Sequence, residues 1–125
     1  MGKTHKDLDV WKKSVDLVTD VYKVTKCFPK EEIYGITNQM RRAAVSIPSN
    51  IAEGAGRQTD KEFVQFLHIA MGSSSELETQ IIICKNLEYI GVEEMNTVLE
   101  KVYDIRKMLT GLLRAVKSRE LRTVN

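Results

Sequence analysis

Apolar side chains recur at alternating three- and four-residue intervals along four stretches of the chain, the pattern of helices that bury one face. The first stretch predicts a helix over residues 9–26. Pro29 ends this helix, because proline pushes the residue before it out of the helical region. The expected buried stripe consists of Leu8, Trp11, Val15, Val18, Tyr22 and Thr25, widened by Leu17 and Val21.

The second stretch predicts a helix over residues 36–55 that contains a proline. Pro48 lies within the stripe and is expected to kink the helix, since proline removes a backbone donor and clashes with the preceding turn at a cost of about 3 kcal/mol. Ser46, Ser49 and Asn50 lie beside it, where they could hydrogen-bond the backbone groups that the kink frees. The expected buried positions are Met40, Ala43, Ala44, Ile47, Ile51 and Ala55.

The third stretch predicts the longest helix, over residues 60–90, with a capping box of Thr59 and Glu62 at its start and Gly91 stopping it in the left-handed conformation. Residues 72–75 are all small and poor helix formers, so a loop there is the competing prediction. A helix is favoured because the apolar stripe continues in phase across them. Their narrow surface would let the Pro48 region approach closely. The stripe is Phe63, Phe66, Leu67, Ala70, Leu77, Ile81, Cys84 and Leu87.

The fourth stretch predicts a helix over residues 92–117, with frayed residues from Ser118 onward. Its stripe is Met95, Val98, Val102, Ile105, Leu109, Leu112 and Val116, flanked by Leu99 and Leu113. Four stripes joined by short turns predict an all-α fold, an antiparallel up-down-up-down four-helix bundle that forms one domain over residues 1–125. A helix pair with long coiled-coil arms is the alternative, which the short first and second helices disfavour.

Composition narrows the class of protein further. The 125 residues are 42% hydrophobic but only 6% aromatic, with two prolines, which favours a helical aliphatic core over a β-sandwich. Cys27 and Cys84 lie far apart, so neither a disulfide scaffold nor a zinc site is expected. Residues 1–7 are polar and basic, and we find neither a signal peptide nor a membrane span; we therefore expect a cytoplasmic protein.

Residues 41–57, here called the signature segment, carry a family resemblance. Residues 41–54 read Arg-Arg-Ala-Ala-Val-Ser-Ile-Pro-Ser-Asn-Ile-Ala-Glu-Gly, and Gly56-Arg57 follows. This wording resembles that of the four helix bundle protein family, also called 23S rRNA-intervening sequence proteins. Residues 8–11, 28–29, 34–35 and 63–78 agree with it, so the resemblance spans about residues 8–90.

The resemblance implies a bundle that assembles into rings, often pentamers, and a link to nucleic acid. A related branch resembles the accessory proteins of diversity-generating retroelements, which bind RNA and a reverse transcriptase. No catalytic residues come with it. The signature residues expected to act in structure or at an interface are Arg41, Arg42, Pro48, Asn50, Glu53, Gly54 and Arg57.

Motifs for catalysis or metal binding are not found in the sequence. Four-helix bundles that hold metals use Glu-x-x-His pairs, but here Gln65 stands three residues before His68. The segment Gly54-Ala55-Gly56 lacks the lysine and the preceding strand of a phosphate-binding loop. We therefore predict a protein that is not an enzyme and needs no metal or cofactor.

Basic residues gather near the chain termini, although the formal net charge is only +2. Residues 106–122 contain six basic residues and a single acidic one, Glu120. An up-down bundle brings its two termini to the same end, so a ring of subunits would repeat this charge around a rim. The alternative is a solvated terminus whose cations only favour the dipole of the fourth helix. The predicted nucleic-acid-binding set is Arg106, Lys107, Arg114, Lys117, Arg119, Arg122, Lys3 and Lys6.

The adjacent Arg41 and Arg42 are a second group of interest. On a helix they point about 100° apart, so we do not expect them to serve the same partner. Interface salt bridges and phosphate binding are both open for them. We predict that they act mainly in structure, and that the terminal basic set binds any nucleic acid.

Two functional hypotheses follow. The first is a non-enzymatic homo-oligomer, a pentamer by resemblance, that binds nucleic acid, with RNA preferred over DNA. The second is an assembly scaffold whose partner is a protein and which binds no nucleic acid. Self-association is expected under both, because Val45, Ile82 and Ile83 are apolar positions outside the core stripes.

Overall fold

The computed structural model describes residues 4–124, with side chains as far as residue 122. Two short 3-10 helices, His5–Asp7 and Lys30–Glu32, precede the first and second long helices. The four long helices are α1 (Asp9–Thr25), α2 (Ile36–Ala55), α3 (Asp60–Asn86) and α4 (Val92–Val124).

The helices form an antiparallel up-down-up-down four-helix bundle, which confirms the predicted all-α fold. Each helix packs against the next one in the chain, and α4 also packs against α1, so the four surround a common core. The most extensive contact joins α2 and α3. As a result α1 begins, and α4 ends, at the same end of the bundle.

The core is aliphatic, as the composition indicates. The predicted stripes of α2, α3 and α4 are confirmed except at Leu87, which follows the last residue of α3 and is 49% exposed. The largest side chains with less than 2% exposure on these helices are Met40, Ile47, Ile51, Leu67, Leu77, Ile81, Val102, Ile105, Leu109 and Val116. The stripe predicted for α1 is partly wrong. Val10, Ser14, Leu17, Val21 and Thr25 are buried, whereas Val15 and Tyr22 are 36% and 44% exposed.

A buried serine is the reason that α1 was misread. Ser14 is fully buried, because its hydroxyl donates to the Trp11 carbonyl at 2.8 Å and needs no solvent. Counted as polar, Ser14 breaks the true stripe and shifts the apparent one toward Val15 and Tyr22. In the structure Tyr22 therefore lies at the surface and not in the core.

Small residues let α2 and α3 approach closely. The Ser73 hydroxyl donates to Ser46 Oγ at 2.8 Å, so the predicted contact between this small run and the Pro48 region exists at Ser73. The next two serines face the other way, toward α4, where both lie within hydrogen-bonding reach of Arg106. The helix is continuous through residues 72–75, as predicted, and α2 is continuous through the buried Pro48.

Three helix boundaries differ from the prediction. The first helix ends at Thr25, one residue early. The third ends at Asn86 instead of residue 90, and α4 runs to Val124 instead of residue 117, which makes α4 the longest helix.

The end of α3 is set by a residue other than Gly91. Glu88 takes the left-handed conformation, with φ 63°, and the glycines of the described region have no positive φ. The Tyr89 N–H donates to the Cys84 carbonyl at 2.9 Å and the Glu88 N–H to the Lys85 carbonyl at 3.0 Å. These two bonds define a Schellman motif, so the helix is closed before Gly91 is reached.

Candidate nucleic-acid interface

The outer side of α4 presents a row of unpaired cations. Lys107, Arg114, Lys117 and Arg122, here called the basic row, are all exposed. No ion pair engages them within the described residues. At 1.5 Å per residue the row extends over about 22 Å of the helix, a length that suits contact with several consecutive phosphates.

Arg106, in contrast, is tied to α3. Its Nη2 lies 2.9 Å from Glu78 Oε1, and the Tyr103 hydroxyl donates to the other carboxylate oxygen at 2.8 Å. The hydrogen bond from Tyr103, and next the one from Arg106, hold the pKa of Glu78 below its ordinary value, while the same carboxylate raises the pKa of Tyr103. This cluster links α3 to α4, so Arg106 has fewer donors left for a ligand.

Arg119 is held in a similar way at the other end of α3. Its Nε and Nη2 donate to the two carboxylate oxygens of Asp60 at 2.9 and 2.8 Å, a forked pair. The Arg119 guanidinium lowers the pKa of Asp60, and the carboxylate raises the pKa of Arg119. Arg106 and Arg119 were both placed in the nucleic-acid-binding set from the sequence, and the structure gives both of them carboxylate partners.

The N-terminal lysines of the predicted set can be described only in part. Lys6 is exposed on the first 3-10 helix, at the end of the bundle where α4 terminates, and Lys3 lies outside the described residues. Nearby, the His5 and Trp11 rings make an edge-on contact with centroids 5.1 Å apart. Trp11 is half-buried against the core and anchors the start of α1.

The signature segment divides into a buried side and an exposed side. Asn50 Nδ2 donates to the Ser46 carbonyl and hydroxyl at 2.8 and 2.9 Å. The carbonyl that Pro48 deprives of a helical donor belongs to Ala44, so Asn50 does not replace the lost bond. Gly54 is buried where α2 meets α3.

The end of the signature segment is stabilised by local contacts on the surface. Arg57 Nη2 lies 3.0 Å from Glu53 Oε2, one turn earlier. The Arg57 guanidinium also lies over the Phe66 ring, 4.7 Å from its centroid. Both partners are near neighbours, and the pair is largely exposed, so its contribution to stability is small.

Arg41 and Arg42 line a common groove, although they share no partner among the described residues. The groove, of about 640 Å³, lies between the outer face of α2, the side of α1 and the turn before Gly35. We call it the arginine groove. Its main lining residues are Tyr22, Ile33, Tyr34, Arg41, Arg42 and Val45.

The two arginines of the groove are held differently. Arg41 Nε donates to the buried Thr25 hydroxyl at 2.9 Å, and the guanidinium stacks on Tyr22, 4.6 Å from the ring centroid. No salt bridge holds Arg41 among the described residues. Arg42 is exposed and, in the described part of the chain, makes no hydrogen bond or ion pair.

Sequence reasoning missed the aromatic part of this groove. Tyr22 was assigned to the core of α1, and Tyr34 was noted only as part of the family wording. Tyr34 is 93% exposed. The signal available in the sequence was its position next to Gly35, in a turn between two helices, where an aromatic residue has no helical stripe to join.

Other kinds of site find little support in the described residues. They contain no group of three or more histidine, cysteine, aspartate or glutamate side chains arranged to hold a metal ion. Cys84 is buried, which raises its thiol pKa to about 11, whereas Cys27 is exposed. No described helix combines the length and the apolar character needed to cross a bilayer.

The fold and its exposed charges define a helical bundle protein with arginine and lysine side chains on two separate surfaces. The chain belongs to the 23S rRNA-intervening sequence protein family, whose model matches residues 6–111. Most of the basic row lies beyond this match. The arginine groove lies within it.

A solved structure supports the fold independently. It is that of a protein with unknown function from the S23 ribosomal protein family of Bacteroides thetaiotaomicron VPI-5482, 24% identical to this chain. The alignment covers 83% of this chain and 97% of that one, with a TM-score of 0.78. No curated protein sequence matches the chain.

Proposed function

We propose that this protein is a non-enzymatic, homo-oligomeric bundle that binds RNA through the basic row of α4. The observation that carries the proposal is the row itself: four exposed cations on one helix without carboxylate partners, while Arg106 and Arg119 beside them are paired. A nucleic-acid backbone offers such a row several consecutive phosphates, one for each cation. The family's name refers to 23S rRNA, which supports an RNA ligand.

Assembly would increase the effect of the row. One subunit has a net charge of only +2, and four phosphate contacts give a modest affinity. A ring repeats the row and makes later contacts intramolecular, which raises the overall affinity without any new kind of contact. The resemblance supports a pentamer and kinship with retroelement accessory proteins. The cytoplasmic location that we propose rests instead on the two free cysteines, which suit a reducing compartment.

The apolar residues of α3 supply a surface for this assembly. Ile69, Ile82 and Ile83 are 50%, 40% and 41% exposed, although they lie on a helix whose opposite face already fills the core. Light scattering at micromolar concentration should therefore report a multiple of the 14.3 kDa subunit mass. Replacing Ile83 by glutamate should lower that mass.

The test of RNA binding is a salt titration with a structured RNA hairpin. Replacing Lys107, Arg114, Lys117 and Arg122 by glutamine should weaken binding and reduce the slope of log affinity against log salt by about 3, since each phosphate contact contributes somewhat less than one. The control replaces Lys12, Lys13, Lys23 and Lys85, which removes equal charge from α1 and α3 but leaves the row intact.

The exposed isoleucines also favour the second candidate, a protein scaffold that binds no nucleic acid. An assembled protein that binds no RNA would support the scaffold, and an equal RNA affinity in the parent, the row variant and the control would show that the basic row is not the RNA site. A selective loss in the row variant supports the proposal.

A further inference from the structure

We propose that the arginine groove binds a nucleoside monophosphate unit, with the base on Tyr34 and the phosphate between Arg41 and Arg42. The unit is either a free nucleotide or one residue of a single strand. This inference is separate from the basic row, because the groove lies on α2 and α1, and none of the row residues lines it. It assigns a ligand to a surface that we expected to act mainly in structure.

The positive charge of the groove favours an anionic ligand. Its lining contains two arginines and no acidic side chain, the other members being apolar, aromatic or neutral polar. Elsewhere in the described chain Arg57, Lys101, Arg106 and Arg119 all have a carboxylate partner. Arg41 and Arg42 have no carboxylate partner among the described residues, so the groove that they line carries an unbalanced positive charge.

Arg41 is already oriented for a phosphate. The buried Thr25 hydroxyl accepts from Nε, and the Tyr22 ring supports one face of the guanidinium. Of the five N–H donors of arginine, the four on the terminal nitrogens then have no partner among the described residues. A guanidinium held in this way presents a planar fork, the geometry that suits phosphate oxygens, and loses little side-chain freedom on binding.

Tyr34 supplies the planar surface. At 93% exposure it has almost no packing role, which is unusual for an aromatic side chain in a turn between two helices. Exposed aromatic rings beside cations are the stacking platforms that bind bases without reading their sequence. The neighbouring Ile33 and Val45, 46% and 39% exposed, offer apolar contacts for the edge of a base or ribose.

The size and polarity of the groove fit a nucleotide better than a second protein subunit. A volume of about 640 Å³ lies within the range of small-ligand sites. The apolar residues are interrupted by Arg41 and Arg42, and a protein partner would have to bring carboxylates to both. Asn38, which is exposed, adds a neutral polar group to the lining that suits a hydroxyl of a ribose.

The test is calorimetric titration with AMP, adenosine, inorganic phosphate and a ten-residue oligoadenylate. AMP should bind more tightly than either adenosine or phosphate. Arg42→Gln should weaken AMP and phosphate at least tenfold. Tyr34→Ala should weaken AMP about tenfold but leave phosphate unchanged, and Tyr34→Phe should keep the parent affinity. Both side chains are exposed, so the thermal melts of the variants should match the parent.

The outcomes separate the two proposed sites and the two ligand sources. Arg114→Gln, in the basic row, should leave AMP binding unchanged, so failure here is distinct from failure of RNA binding by α4. If AMP and oligoadenylate both bind, the site is assigned to free nucleotides. If only oligoadenylate binds, and Arg42→Gln abolishes that binding, the site is assigned to single strands. Absence of binding by every probe overturns the inference. The inference is also overturned if Tyr34→Ala lowers the oligomer mass and leaves the nucleotide affinity unchanged, because the groove would then be a subunit interface.

Discussion

Gly54 controls how closely α2 and α3 pack, and replacing it by alanine tests that packing directly. A Cβ atom at residue 54 would lie 2.8 Å from Phe63 Cδ1, 2.8 Å from Phe66 Cβ and 3.3 Å from the Phe63 carbonyl oxygen. A ring edge can rotate, but a Cβ atom moves only with its backbone. Relief of the contact with Phe66 therefore requires the two helices to separate.

The expected magnitude is the difference between two effects. Overpacking a tight site costs about 1–3 kcal/mol, while alanine favours a helix over glycine by about 1 kcal/mol. Because the contact is with atoms attached to backbone, the cost should exceed the gain. We expect Gly54→Ala to lower the free energy of unfolding by up to about 2 kcal/mol.

A matched control is available on the same bundle. Gly72 and Gly111 are helical and exposed, and a Cβ at either would have no neighbour within 4 Å. Alanine there should raise the free energy of unfolding by up to about 1 kcal/mol. Urea unfolding at one fixed protein concentration gives the comparison, since self-association would otherwise shift the midpoints. If Gly54→Ala proves as stable as Gly72→Ala, the packing explanation is wrong.

Three further predictions concern the ends and the surface of the helices. Glu88→Gly should raise the urea midpoint, by up to about 1 kcal/mol in free energy, because the left-handed conformation costs a side chain that amount or more; Glu88→Ala should show no comparable gain. The lowered pKa of Asp60 means that its pairing with Arg119 stabilises the fold fully above the ordinary pKa of 3.8, and that this contribution is lost as the pH falls through the lowered value. Asp60→Asn should thus destabilise at pH 7, and its difference from the parent should shrink as the pH is lowered below 3.8, as thermal melts would show. A thiol reagent at pH 8 should label the exposed Cys27 rapidly and the buried Cys84 only on unfolding; equal labelling rates by mass spectrometry would contradict the core described here.

The fold was predictable because three of the four apolar stripes are long and in phase. Val98, Val102 and Ile105 lie on one face of a helix and are all buried, as their spacing requires. Helix α1 was harder, since the buried Ser14 satisfies its hydroxyl within its own helix and so counts as polar in the pattern but apolar in the structure. The end of α3 was misplaced because Glu88, and not a glycine, adopts the left-handed conformation.

The candidate sites were less predictable, because charge partners are not visible in a sequence. Nothing in the spacing shows that Arg106 and Arg119 meet Glu78 and Asp60, which are 28 and 59 residues away. Helical geometry alone also separates Arg41 from Arg42 and misses the groove that both line. That groove exists because α1 and the turn before Gly35 close around α2, which depends on tertiary packing.

The hydroxyls between α2 and α3 fix the alignment of the two helices. Ser46 Oγ accepts from both Ser73 and Asn50 at the contact between the two helices, where most of the buried side chains are apolar. If the contact contained only small apolar residues, one helix could shift along the other by a turn, because one alanine packs much like another. Such a slide would break the hydrogen bond between Ser73 and Ser46, and a buried hydroxyl that loses its partner is costly unless it finds another acceptor. These three polar residues therefore favour the observed pairing of the helices, even if their net contribution to the free energy of unfolding is close to zero.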